Sequence, residues 1–238
     1  MIKKIQKISC TTCTSRDSGV FCSLHEQALN KLDEEKNINI YKKGQNLFIE
    51  GNPPFGLFCI HNGKVKITKT GRSGKETIIR IASNGDLLGH RSLFSSCPYT
   101  ASATITEEAT ICFISKKTIL KLIEENPTFS LEILKRIGIQ MGAAEERIAS
   151  LSQKSIRERF AELLLTLKAS YGKEMDDGEI QINAKLTREE MASIIGAAPE
   201  NLIRLVTEFK NNSLIRQEGK YIYLINISKI EEIASLDY

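Results

Sequence analysis

The chain reads as an α+β protein: an antiparallel β half, one long helix, and a C-terminal helix-turn-helix with a hairpin wing. Three observations predict this. Between Ile38 and about Ser115, short runs rich in Ile, Phe, Leu and Thr are broken by Gly, Asn and Pro, as expected of several strands joined by turns in a β-sandwich or roll. From Pro127 to about Lys154, apolar residues recur at alternating steps of three and four, the period of a helix. From Leu186 to Ile215, LTREEMASIIGAAPENLIRLVTEFKNNSLI reads as two short helices hinged at a glycine.

At 238 residues there is room for more than one domain. The expected divisions are a cysteine-rich segment (1–23), a β domain (24–126), the long helix (127–154) and the helix-turn-helix region (155–238). A net charge of +4 is mild, so contact with nucleic acid must come from a local patch. No apolar run is long enough to cross a bilayer, and MIKKIQKISC lacks the apolar stretch of a signal peptide, which predicts a cytoplasmic protein. In that reducing compartment six cysteines are read first as metal ligands or catalytic thiols.

In chain order, the first segment spaces three cysteines as C-x2-C-x8-C over Cys10, Cys13 and Cys22 without amphipathic period. It is expected to be a loop that needs something to fold around. A short helix follows over Leu24 to Glu35. Within the β half, Asn62-Gly63 between apolar runs predicts a tight hairpin. Helices are predicted over Lys116–Asn126, Pro127–Lys154 and Ser155–Ser170, then a turn at Asp176-Asp177-Gly178 and a strand in EIQINA. On the long helix Leu134, Ile137, Met141, Ala144, Ile148 and Leu151 form a heptad seam. The seam fits either a dimer interface or a stripe packed on the chain's own β half, and the charged flanks Glu145, Glu146 and Arg147 favour the dimer.

Thr187 with Glu190 makes a capping box that starts the first short helix. Met191, Ile194 and Ile195 give it an apolar face, and Gly196 ends it. Pro199 suits the first turn of the second helix, whose buried stripe is Leu202, Leu205, Val206 and Phe209. The opposite face carries Glu200, Asn201, Arg204 and Thr207. Arg204 can donate two hydrogen bonds to a guanine edge and Glu200 can accept one from a cytosine amino group, which matches a helix laid in the major groove of DNA. The plainer alternative is a helical hairpin whose Glu200 and Arg204 pair with each other. Leu214 to Ile225 predicts a wing turning at Glu218-Gly219, with Arg216, Lys220 and Tyr221 near a phosphate backbone. Thr187, Arg188 and Lys220 complete the candidate DNA-binding set.

The cysteines offer soft thiolates suited to zinc or an iron–sulfur cluster. Cys112, in EEATICFIS, fits either a ligand or a core position, Cys59 reads as core packing, and Cys97 is a rival ligand. A thiol oxidoreductase at Cys10-Thr11-Thr12-Cys13 lacks the flanking strand and helix that such chemistry uses. His25, His61 and His90 lie in unrelated segments, so no enzyme constellation is expected.

The order of β half, heptad helix and winged helix-turn-helix resembles the CRP/FNR family of transcription regulators. YKKGQNLFIEGNPPFGLFCIHNGKVKI is similar to the family's glycine-punctuated roll, GDLLGHRSLF to the turn over its ligand pocket, and LTREEMASIIGAAPENLIR to its recognition motif. The resemblance implies a β-roll of the cyclic-nucleotide-binding kind, a homodimer, a palindromic double-stranded DNA operator read by Glu200 and Arg204, and RNA polymerase as a partner. It disfavours a cyclic nucleotide effector, since His90 stands in place of the ribose-binding Glu and Tyr99-Thr100 in place of the phosphate-binding Arg pair, although Arg91 lies nearby. Through the oxygen-sensing FNR members it implies a 4Fe-4S cluster on Cys10, Cys13, Cys22 and Cys112, with zinc in the same thiolates as the alternative. Lys3, Lys4, Lys7 and Arg16 would offset its charge. The second functional class is a regulator whose roll binds a small organic effector, with incidental cysteines.

Overall fold

A computed structural model describes residues 8–16, 19–71, 74, 76–176, 178–184, 186–219 and 221–234. The chain divides into two units, up to Met141 and from Gly142 onward, so the division falls inside the long helix.

In the first unit, 3-10 turns at Thr14–Arg16 and Val20–Ser23 precede α1 (Glu26–Glu35). Eight strands follow: β1 (Asn37–Tyr41), β2 (Asn46–Phe48), β3 (Gly56–Asn62), β4 (Val65–Thr70), β5 (Glu76–Ala82), β6 (Leu87–Leu88), then α2 (His90–Ser95), β7 (Ser102–Ile105) and β8 (Ala109–Ser115). Helices α3 (Lys116–Glu125) and α4 (Pro127–Gln153) complete the series. The strands form two antiparallel sheets, β1-β8-β3-β6 and β2-β7-β4-β5, the arrangement of a roll. Alternation along β3 and β8 sorts their side chains. Phe58, Ile60 and Ile111 enter the core between the sheets, while Leu57 and Ile114 face outward into a second core with Leu32, Ile119, Leu122 and Phe129. The β1-β8-β3-β6 sheet is thus covered on both faces.

Two sequence expectations are corrected here. The N-terminal segment is not a bare loop: it carries two 3-10 turns, Val20, Phe21 and Leu24 are buried in the second core, and Phe21 stacks on Phe129 at 5.4 Å. Nor does Asn62-Gly63 close a hairpin, since β3 pairs with β8 and β6 while β4 pairs with β5 and β7. The pair forms the corner where the chain crosses between sheets. Gly63 is required there because its φ is +107° and an added Cβ would lie 2.6 Å from Ala109 Cα.

Helix α4 buries Phe129 and Ile133. Along its expected seam Leu134, Met141, Ile148 and Leu151 remain 64%, 62%, 67% and 43% exposed, and only Ile137 packs against the second core. Within one chain, then, most of that stripe is uncovered.

The second unit continues with α5 (Ile156–Tyr171), β9 (Gly172–Glu174), β10 (Ile180–Ile182), α6 (Arg188–Ile195), α7 (Pro199–Asn211), β11 (Ile215–Glu218), β12 (Tyr221–Leu224) and α8 (Ile227–Ala234). Its four strands pair in the order β11-β12-β10-β9. Phe160, Leu164, Leu202, Phe209, Leu224 and Ile230 are fully buried in its core, with Phe160 edge-on to Phe209 at 5.0 Å. Among the described residues no helix is long and apolar enough to cross a membrane.

Candidate functional site

The helix-turn-helix is set by local chemistry. Thr187 Oγ1 accepts from the Glu190 amide at 3.1 Å and Glu190 Oε2 accepts from the Thr187 amide at 2.9 Å, so both exposed donors at the start of α6 are satisfied. Gly196 takes the left-handed conformation that ends α6, and Pro199 occupies the first turn of α7. Leu202, Val206 and Phe209 turn inward, which leaves Glu200, Ile203, Arg204 and Thr207 exposed and Asn201 half-buried. Among the described residues, no ion pair joins Glu200 to Arg204 or occupies either of them. Both are available to a partner.

The flanking candidates are engaged differently. Arg188 is turned toward the wing, where it donates to the Gln217 side chain. Thr207 Oγ1 donates back to Ile203 O at 3.0 Å. Arg216 donates to Glu179 at 2.6 Å and to Glu218 at 3.1 Å, with its guanidinium over the Tyr223 ring. These two carboxylates already neutralise Arg216, so it is not a free phosphate contact. Lys220, like Lys3, Lys4 and Lys7, lies outside the described residues.

In the roll, His90 is buried with Nδ1 3.0 Å from Leu87 O and Nε2 3.0 Å from Gln140 Oε1. Burial and then Arg80 push its pKa down. Tyr99 is buried and stacks on Phe48 at 4.0 Å. Arg91 is exposed at the surface.

The other notable feature of the first unit is a small cavity lined by Cys10, Cys13, Cys59 and Cys112, together with His61, Lys36 and Arg16, between the N-terminal segment and the outer face of the β1-β8-β3-β6 sheet. Lys36, whose side chain is 2% exposed, donates to Cys10 Sγ at 2.9 Å, to Asp33 Oδ1 at 2.5 Å and to Ile8 O at 2.6 Å. Asp33 in turn accepts from Ser9 Oγ and the Cys10 amide. Burial alone would raise the Asp33 pKa, but Lys36 and these hydrogen bonds hold it down to about 2. Cys13 Sγ lies 3.2 Å from His61 Nδ1. Burial pushes the Cys10 thiol up to about 12 against the opposing pull of Lys36, and burial likewise raises Cys59 and Cys112. Burial thus disfavours the thiolate form of Cys10, Cys59 and Cys112, which a bound cation would favour.

Of the four cysteines the FNR resemblance singles out, Cys10, Cys13 and Cys112 line this cavity and Cys22 does not. Cys22 is exposed and Cys97 is exposed in a loop. Sequence reasoning missed Cys59 as a lining residue, along with His61 and Lys36, and Asp33, which holds Lys36 and the Cys10 amide. The signal was present: Cys59 and His61 are two apart in a strand and so share a face. The donor set, four soft sulfurs beside basic groups, fits a thiolate-bound metal centre. As closed in this structure the cavity measures about 30 Å³, where one water needs about 10–15 Å³. That is room for a single ion. A cluster of four irons and four sulfides needs the Cys10–Cys13 segment to stand further from the sheet. Among the described residues, no three His, Cys, Asp or Glu side chains are already arranged to hold an ion.

Two family models match the chain: a cyclic nucleotide-binding domain over residues 38–126 and a Crp-like helix-turn-helix domain over residues 158–233. The chain belongs to the CRP/FNR family of transcription regulators. Its helix-turn-helix binds DNA. The chain is similar to the CRP-like cAMP-activated global transcriptional regulator of Mycobacterium tuberculosis, at 26% identity over 90% of this chain and 95% of the relative. It is equally similar to the fumarate and nitrate reduction regulatory protein of Vibrio cholerae, at 26% identity over 98% of this chain and 95% of the relative. Among solved structures, FixK2 from Bradyrhizobium japonicum superposes with a TM-score of 0.76 at 16% identity, covering 85% of this chain and 99% of that one. This last likeness concerns the fold alone.

Proposed function

We propose that this CRP/FNR regulator is redox-responsive, binding a palindromic operator as a homodimer whose assembly is controlled by a 4Fe-4S cluster on Cys10, Cys13, Cys112 and a fourth cysteine, Cys22 by family resemblance. The observation that carries the reading is the cavity in which the N-terminal thiols meet a strand thiol from the far end of the roll beside a buried lysine. Similarity to the Vibrio cholerae regulator and to the transcriptional activator anr of Pseudomonas aeruginosa, at 25% identity, points the same way. When bound, the cluster supplies an air-labile link between the N-terminal segment and the sheet. The chain's own residues do the rest. Lys36 and Arg16 offset thiolate charge, Asp33 anchors the backbone at Cys10, and the segment packs through Phe21 on Phe129 of α4. Helix α4 is the element whose uncovered Leu134, Met141, Ile148 and Leu151 suit a second copy. Pairing sets two α7 helices about 34 Å apart, one turn of DNA, where Glu200, Asn201 and Arg204 read bases and Thr187, Arg188, Thr207 and Lys220 supply further contacts. Recruitment of RNA polymerase would complete the regulatory step.

Zinc in the same cavity is the second reading, favoured by its single-ion volume; zinc has no redox chemistry and would make the site structural. A cyclic nucleotide in the roll is disfavoured, because His90 and Tyr99 are buried in packing contacts and Arg91 points to the surface. The test is purification without air followed by operator titration. Brown protein that bleaches in air and loses operator affinity on bleaching is the expected result. Colourless protein with tightly held zinc and air-stable binding supports the second reading instead.

A further inference from the structure

The cavity holds four thiols, but they are not the four that family resemblance selects. Val20 and Phe21 are buried in the 3-10 turn, and Phe21 stacks on Phe129. Phe21 also lines the cavity, but the next residue, Cys22, is exposed and does not line it. Bringing Cys22 to the cavity would require the turn that buries Val20 and Phe21 to reorient. Cys59 needs no such movement. It stands directly opposite Cys112 on the neighbouring strand, and opposite residues of an antiparallel pair carry their side chains on one face with Cβ atoms about 4.5–5.5 Å apart. Both thiols line the cavity with Cys10 and Cys13.

We propose that Cys59, and not Cys22, supplies the fourth thiolate, so that Cys10, Cys13, Cys59 and Cys112 hold the metal centre while Lys36 offsets part of the sulfur charge. This rests on the reading of the cavity as a metal site and concerns only which residues hold it. The division of labour is physically simple. Two thiols on paired strands form one wall, and two on the Cys10–Cys13 segment form the wall facing it. His61, two residues beyond Cys59 on the same strand face, meets Cys13 Sγ at 3.2 Å and links the two walls. Each thiol surrenders its proton to solvent as it ligates, so binding consumes no oxidant or reductant.

The test uses the full chain purified without air, with iron, sulfide and zinc counted per chain in wild type, Cys22→Ser and Cys59→Ser. Cys22→Ser is expected to keep the wild-type metal content. Cys59→Ser is expected to retain metal at least about 10-fold more weakly against a chelator, more than the smallest effect of removing an outer-shell partner. Loss of metal from Cys22→Ser, or full retention by Cys59→Ser, overturns the assignment. A wild type that holds no metal at all sinks the underlying reading as well, and is distinguished by that result alone. Since Cys59→Ser disturbs the core, a measurement on the wild type stands beside it: brief alkylation of the metal-loaded protein, read by mass. Cys22 should react at once with metal retained, while Cys10 and Cys13 react only after chelation. Protection of Cys22 in the loaded protein overturns the proposal.

Discussion

The recognition helices and the thiol cavity are built by opposite means. In α6 and α7 every determinant lies within a few residues of what it acts on: Thr187 caps Glu190, Gly196 ends one helix, and Pro199 begins the next. The cavity is assembled from Cys10, Lys36, Cys59 and Cys112, which are far apart in the chain and meet only because β3 lies against β8 and the N-terminal turn packs over them. The difference teaches where each site is fragile. Local determinants fail singly and mildly, whereas a buried charge network fails as a unit.

Substitution at the network should therefore have the largest effect. Lys36→Met leaves the half-buried Asp33 without its cation, and loss of one partner of a buried pair costs up to about 3–5 kcal/mol. Urea unfolding should show a drop of that order. A change below about 1 kcal/mol would mean that the pair behaves as a surface contact. The same pair predicts an acid limb. Asp33 is held below its ordinary range, to about 2, so its stabilisation is fully present above the unfolded carboxylate pKa of about 3.9 and is lost as pH falls toward 2. In Asp33→Asn that part of the pH dependence should vanish, which parallel acid titrations followed by circular dichroism will reveal.

Next in size is the reading face. Arg204→Ala should reduce discrimination between operator and random DNA by about 1–3 kcal/mol, measured by fluorescence anisotropy at one salt concentration. An unchanged ratio would remove Arg204 from base reading. The smallest expected effect is at the cap: Thr187→Ala should cost about 1 kcal/mol of unfolding free energy and leave metal content untouched. If it also released metal, the contrast between the two regions would break.

Legibility followed the same line. The capping box, the glycine turn and the inward stripe of Leu202, Val206 and Phe209 were readable because helix geometry relates residues three or four apart. The apolar seam of α4 was readable as a period, and although the same period serves a core stripe, the charged flanks Glu145, Glu146 and Arg147 already favoured the exposed face that Leu134, Met141 and Ile148 show. The Asn62-Gly63 corner misled because positive φ at Gly63 serves either a hairpin or a crossing between sheets, and only strand pairing distinguishes them. Arg216 read as a phosphate contact because Glu179, which neutralises it from across the wing sheet, lies 37 residues away. Helix α8, packed in the core of the second unit through Ile230 and Ile233, went unassigned.

The amino-acid order by itself determined the family architecture and which face of α7 is left exposed, since both rest on short-range periodicity and capping. Only the folded chain decided which sulfurs share a cavity. Strand register brings Cys59 opposite Cys112, and the turn that buries Phe21 leaves Cys22 exposed; both depend on contacts between residues distant in sequence.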